Sequence, residues 1–155
     1  MNVTSPAIRP TNFRQARLLI IEDTDDHWHL MHLEVKRFLP EVTPIRVATQ
    51  AQAMTYLNGC LSNGDKLPGL ILLDLYLPDR QEGWQLLQQL KHPESNFRQL
   101  PVVVFSHSSA REDVLGSYQY GSTSYVTKPL DPRNWPAYFQ MLRHYWWETV
   151  TLPGN

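Results

Sequence analysis

Five short strand-like runs punctuate the chain, and each stops at a polar residue. Leu18-Leu19-Ile20-Ile21 ends at Glu22-Asp23, Ile45-Arg46-Val47-Ala48 at Thr49, and Leu70-Ile71-Leu72-Leu73 at Asp74. Val102-Val103-Val104-Phe105 ends at Ser106, and Ser124-Tyr125-Val126-Thr127 at Lys128. Unbroken aliphatic runs predict strands buried on both faces, as in a parallel sheet covered by helices. Between them, apolar residues recur at helical spacing. Leu30, Met31, Leu33, Val35, Phe38 and Leu39 follow a cap and first turn at Thr24, Asp25 and Asp26, and Pro40 stops that helix. Ala53, Met54, Leu57 and Leu61 follow Thr49 as cap and end at the Asn63-Gly64 loop. Trp84, Leu86, Leu87 and Leu90 mark a helix over 83–91. Val114, Leu115 and Tyr118 mark one capped by Ser109 and stopped at Gly121. From Pro132 onward, Trp135, Tyr138, Phe139, Met141, Leu142, Tyr145 and Trp146 predict a single final helix.

Five strands alternating with five helices imply a doubly wound α/β sheet, because parallel strands need helical crossovers. Such sheets place their sites beyond the carboxyl ends of the strands, where Glu22, Asp23, Asp74, Ser106 and Lys128 all fall. At the end of its apolar run, the Asp74 carboxylate can meet solvent, bind a cation and act as a nucleophile. The plain alternative is an Asp that begins the turn before Pro78. Three carboxylates form a hard-oxygen pocket suited to Mg²⁺, while a hydroxyl and an ammonium suit phosphoryl oxygens.

At 155 residues and 42% apolar content the chain supports one core. The expected organisation is a flexible arm over residues 1–16, one domain over 17–148, and a short tail over 149–155. A formal net charge of -1 gives no footprint for nucleic acid. The lone Cys60 excludes an internal disulfide and fits a reducing compartment. No apolar run approaches the roughly 20 residues that span a bilayer, so the cytoplasm is the expected location and no membrane contact is expected. His27, His29 and His32 lie along the first helix and read as solvated residues, with contact to a phosphodonor protein as the functional alternative. His107 reads as a pocket neighbour.

The acidic pair, Asp74, Ser106 and Lys128-Pro129, in this order, resemble the receiver domain of two-component response regulators over residues 17 to about 147. The resemblance implies a flavodoxin-like, five-stranded parallel sheet of order 2-1-3-4-5 with five helices. It makes Asp74 the acceptor of a phosphoryl group from a sensor histidine kinase or phosphotransfer protein. Glu22, Asp23, Asp74 and the main-chain carbonyl of Tyr76 would hold Mg²⁺. Ser106 would turn toward the phosphate, Lys128 would pair with it, and Tyr125 would be the aromatic switch residue.

Within that family, Tyr145-Trp146-Trp147-Glu148 with Leu152-Pro153, the His92 to Gln99 loop, and Ser117-Tyr118-Gln119-Tyr120-Gly121 resemble small stand-alone regulators associated with bacterial phytochrome-type kinases. That likeness implies a light-sensing kinase as donor and a homodimer through the fourth helix, fifth strand and fifth helix. No output domain is expected, so output passes through a partner. Trp146 and Trp147 look surplus to one helical face and fit either an interface or intramolecular docking. The spacing from Asp74 to Gly83 is one residue longer than usual, with Asp79, Arg80, Gln81 and Glu82 read as loop. Tyr76 and His107 are bulky beside the pocket and either restrict an attacking water or merely cover the site.

The protein reads as a phosphorylated switch rather than a turnover enzyme. The alternative is a constitutive interaction or dimerisation module on the same scaffold. A phosphatase using an Asp nucleophile is disfavoured, because its second Asp would stand where Tyr76 does.

Overall fold

The structure, a computed structural model, describes residues 11–153. Strands β1 (Arg17–Ile21), β2 (Thr43–Val47), β3 (Leu70–Leu73), β4 (Val102–Ser106) and β5 (Ser124–Thr127) form one sheet in the order β2-β1-β3-β4-β5. Every pairing is parallel: Ile20 lies beside Arg46 and Leu72, and Val104 beside Leu73 and Tyr125. Helices α1 (Asp25–Phe38), α2 (Gln50–Asn63), α3 (Arg80–Lys91) and α4 (Arg111–Gln119) make the four crossovers, and α5 (Trp135–Leu142) follows β5.

The aliphatic runs sort their side chains alternately to two cores, as the period of a strand requires. Leu18, Ile20, Leu70, Leu72, Val103 and Phe105 pack under α1 and α5 with Met31, Val35, Trp135 and Phe139. Leu19, Ile21, Ile71, Leu73 and Val102 pack under α2 and α3 with Leu57, Leu86, Leu87 and Leu90. With both faces covered, only the strand ends remain for chemistry.

Thr49 caps α2 as expected, its side chain accepting from the Gln52 amide at 3.1 Å, and Gly64 ends the helix at φ +70°. Other boundaries differ from the sequence reading. The residues expected to fill a loop before Gly83 are the start of α3: the Asp79 side chain accepts from the Glu82 amide at 3.2 Å. Gly83 sits where a Cβ would collide with the Leu75 carbonyl, so this close approach of helix to chain requires glycine. Ser109 does not cap α4. The cap position is Ala110, whose amide donates to the Ser108 hydroxyl at 3.2 Å.

The expected single last helix is three pieces: a 3₁₀ turn over Pro132–Asn134, then α5, then a π-helical segment over Arg143–Thr149. The wider turn sets Leu142, Trp146 and Trp147 on one buried face, so the adjacent tryptophans are both core. Their surplus is thereby resolved as intramolecular docking.

Part of the expected flexible arm belongs to the same cluster. Phe13 and Ala16 are buried, and the Asn12 side-chain amide donates to the carbonyls of Trp146, Trp147 and Val150 at 3.3, 3.3 and 2.5 Å. The Asn12 side-chain carbonyl accepts from the Leu152 amide at 3.1 Å, and Leu152 is buried. Residues 1–10 of the arm lie outside the described residues.

Candidate functional site

The carboxyl ends of β1, β3, β4 and β5 converge on one pocket. Its walls include Asp23, Asp74, Tyr76, Ser106 and His107. Glu22 follows β1 directly and is fully buried, its backbone amide donating to the Val47 carbonyl at 3.0 Å. Asp74 follows β3 and is anchored the same way, amide to the Ile21 carbonyl at 2.9 Å. These main-chain bonds extend the sheet by one residue and fix where the carboxylates point. Ligand atoms of Glu22, Asp23 and Asp74 lie within 4.8 Å of one another.

Lys128, at the end of β5, reaches into this group although it is 1% exposed. Its ammonium binds Glu22 Oε1 directly and stands 3.4 Å from Asp74 Oδ2. Burial would push Glu22 up, but the Lys128 charge and hydrogen bonds to Asp74 and Lys128 hold it below the usual carboxylate range. Asp74 moves the other way. Burial and the neighbouring Glu22 charge raise it to about 7, against the opposing pull of Lys128. Asp23 is raised as well, by partial burial and by Glu22.

Such crowding is the signature of a place for a cation: three acidic groups held together, one of them retaining its proton near neutrality. The donor set is all oxygen, which fits Mg²⁺ or Mn²⁺ better than a soft metal.

Ser106 is buried, its hydroxyl accepting from the Ser108 amide at 3.3 Å. Tyr125 on β5 donates its hydroxyl to the Ser108 carbonyl at 2.7 Å, so the expected switch residue is tied to the β4–α4 loop. The Tyr76 amide donates to Asp74 Oδ1 at 3.2 Å. His107 borders the pocket as expected, and burial together with the Lys128 and His27 charges lowers its basicity.

The sequence reading missed His27. It is no solvated helix residue: Nδ1 lies 3.1 Å from Lys128 Nζ and 3.4 Å from Glu22 Oε1, and Nε2 lies 3.2 Å from His107 Nε2. Its place in the first turn of α1, directly above the acidic pair, was the available signal. His29 is exposed and His32 stacks on Trp28 at 5.1 Å, so neither joins the site. Asp113 was also missed. It is 1% exposed and binds Tyr76, Arg80 and Ser108 beside the pocket. An acidic residue in the first turn of a helix is too common to stand out in a sequence.

A parallel sheet of this order, with an acidic trio, a buried lysine and a hydroxyl at its carboxyl edge, defines a receiver. The chain belongs to the response regulator receiver domain family, whose model matches residues 18–140. Members are signalling proteins of two-component systems rather than turnover enzymes.

The chain is 31% identical over 139 residues to the response regulator Rcp1 of Synechocystis sp., covering 88% of this chain and 92% of that one. It is 30% identical over 139 residues to the probable methanogenesis regulatory protein FilR2 of Methanothrix harundinacea, covering 88% and 87%. Among solved structures, the Mn²⁺-bound form of Rcp1 superposes with TM-score 0.77 at 29% identity, covering 89% of this chain and 99% of that one. The phosphorylated cyanobacterial phytochrome response regulator RcpA superposes with TM-score 0.80 at 28% identity, covering 90% and 99%. The chain is thus similar over most of its length to stand-alone response regulators, one of them a phytochrome response regulator. Among the described residues, no helix is long and apolar enough to cross a membrane.

Proposed function

We propose that Asp74 accepts a phosphoryl group from the phosphohistidine of a sensor kinase of phytochrome type, and that the added charge is read by a partner. The observation that carries this is the convergence of Glu22, Asp23, Asp74 and Lys128 on one spot open to solvent. In the transfer, a bond forms from an Asp74 carboxylate oxygen to phosphorus and the phosphorus–nitrogen bond to the donor imidazole breaks. Positioning and charge neutralisation supply most of what such a step needs.

Glu22, Asp23, Asp74 and the Tyr76 carbonyl would hold Mg²⁺, which supplies charge neutralisation for the incoming group. Lys128 exchanges its contact with Glu22 for one with a phosphoryl oxygen, a charge-assisted bond already nearly in reach of Asp74. The Ser106 hydroxyl donates to a second oxygen. Because the same hydroxyl accepts from the Ser108 amide, its turn toward phosphate pulls on the β4–α4 loop and moves the Tyr125 anchor with it. Adding roughly two negative charges at Asp74 thus biases the β4–α4 loop and Tyr125 between two arrangements. Tyr76 and His107 stand at the mouth and restrict the water that would remove the group.

Exposed Leu115 and Tyr118 on α4, and Met141 and Tyr145 beyond β5, offer apolar surface for a homodimer or partner through α4, β5 and α5. The setting is cytoplasmic, where such kinases present their catalytic domains. Phosphotransfer from a labelled phytochrome-type histidine kinase tests the assignment. Label should pass to the wild type within minutes and not to Asp74→Asn. Label that stays on the kinase while a small donor phosphorylates Asp74 would contradict the assigned donor.

A further inference from the structure

Asp113 is a buried carboxylate, 1% exposed, in the first turn of α4, and the proposed phosphoacceptor mechanism has no use for it. Its Oδ2 accepts from the Tyr76 hydroxyl at 2.6 Å and the Ser108 hydroxyl at 2.5 Å, and its Oδ1 accepts from the Arg80 guanidinium at 2.8 Å. The three donors come from the β3–α3 loop, the β4–α4 loop and α3. Arg80 is itself laid over the Trp84 ring at 4.9 Å, and the Asp113 carbonyl accepts from Ser117 at 2.7 Å. Burial would push Asp113 up, yet the hydroxyls of Ser108 and Tyr76 and the Arg80 guanidinium keep it below the usual carboxylate range.

A buried ionised group of this kind seldom adds stability over a well-packed apolar one, so the geometry it imposes is the more informative property. That geometry concerns Tyr76. The Tyr76 backbone amide is bound to Asp74 Oδ1 and its hydroxyl to Asp113, so both ends of the residue are tied while the ring lines the pocket mouth. Without the second tie, a side chain that is 37% exposed is free to swing into solvent.

We propose that Asp113 is a positioning residue for phosphoryl turnover at Asp74, fixing the Tyr76 ring across the pocket mouth and joining that ring to the loop that holds Tyr125. The inference rests on the reading of Asp74 as phosphoacceptor. In hydrolysis a water oxygen bonds to phosphorus and the bond from phosphorus to the Asp74 oxygen breaks. Inorganic phosphate leaves, the carboxylate is regenerated, and the water proton passes to solvent. The anchored ring occupies the approach of that water and prolongs the phosphorylated state.

The test loads the full chain with acetyl phosphate and Mg²⁺, removes the donor, and follows loss of the adduct by intact mass. Asp113→Asn and Tyr76→Phe should each shorten the lifetime about threefold or more. Formation should change by a smaller factor than loss, a split that general loosening of the fold would not produce. The double variant should lose phosphate no faster than the faster single variant, since both remove one interaction. Tyr76→Phe keeps the ring and removes only the anchor, so the test survives if Asp113→Asn fails to fold. Unchanged lifetimes, or single effects that multiply in the double variant, would overturn the assignment. A wild type that forms no adduct would instead overturn the phosphoacceptor reading beneath it.

Discussion

At Asp74, burial and the Glu22 charge act in the same direction, and Lys128 offsets them only in part. The sign of the consequence follows from linkage. A carboxyl that holds its proton more tightly in the folded chain contributes stability at low pH, and that contribution is lost as pH rises from the ordinary carboxylate range through about 7. Asp74→Asn removes the ionised, poorly solvated form. The variant should therefore be more stable than the metal-free wild type at pH 8, by on the order of 2 kcal/mol, with the difference shrinking toward pH 4. Denaturant melts at the two pH values, with chelator present, measure this. Added Mg²⁺ should stabilise the wild type and narrow the gap, because the cation replaces the missing counter-charge.

Glu22, Asp23, Asp74, Ser106 and Lys128 were legible in the sequence because each stands where an apolar run stops, and strand ends share one edge of a parallel sheet. His27 and Asp113 were not. Each is an ordinary helix-start residue until the fold brings Lys128 beneath one and Tyr76 beside the other.

Elements carry two further consequences. Gly83 lets α3 pass against the Leu75 carbonyl, and backbone cannot yield as a flexible side chain does. Gly83→Ala should cost about 3 kcal/mol or more, read as a lower denaturation midpoint at unchanged slope. Asn12 satisfies carbonyls of Trp146, Trp147 and Val150 and the amide of Leu152 with one side chain. Asn12→Ala leaves buried groups unpaired and should cost about 1–3 kcal/mol, with faster amide exchange confined at first to residues 143–152.

The positions of β1, β3 and β4 were read well because four-residue apolar runs buried on both faces resemble nothing else in this chain. The mixed, partly buried β2, expected over 45–48, instead runs over Thr43–Val47. Helix ends were read less well. Asp79 and Ser109 are equally good capping types, and only tertiary placement shows that one caps α3 while the cap of α4 passes to Ala110. The π-helical segment has no local signature. Adjacent tryptophans look surplus on a regular helix, and a widened turn buries both.

For the molecule as a whole, the sheet order gathers the acidic residues at one edge. The acidic pocket sits at the carboxyl edge, and exposed Leu115 and Tyr118 lie one helix away. If that surface is the dimer face, Leu115→Asp should shift the protein toward monomer in sedimentation velocity while adduct formation at Asp74 continues. An unchanged oligomeric state would place the contact elsewhere. The central claim remains chemical, and intact mass tests it most directly. Purified protein with Mg²⁺ and acetyl phosphate should gain one phosphoryl group. The gain should disappear with chelator and be absent in Asp74→Asn. A folded wild type that binds Mg²⁺ yet gains no phosphoryl group from any donor would contradict the account and leave a constitutive interaction module on a receiver scaffold.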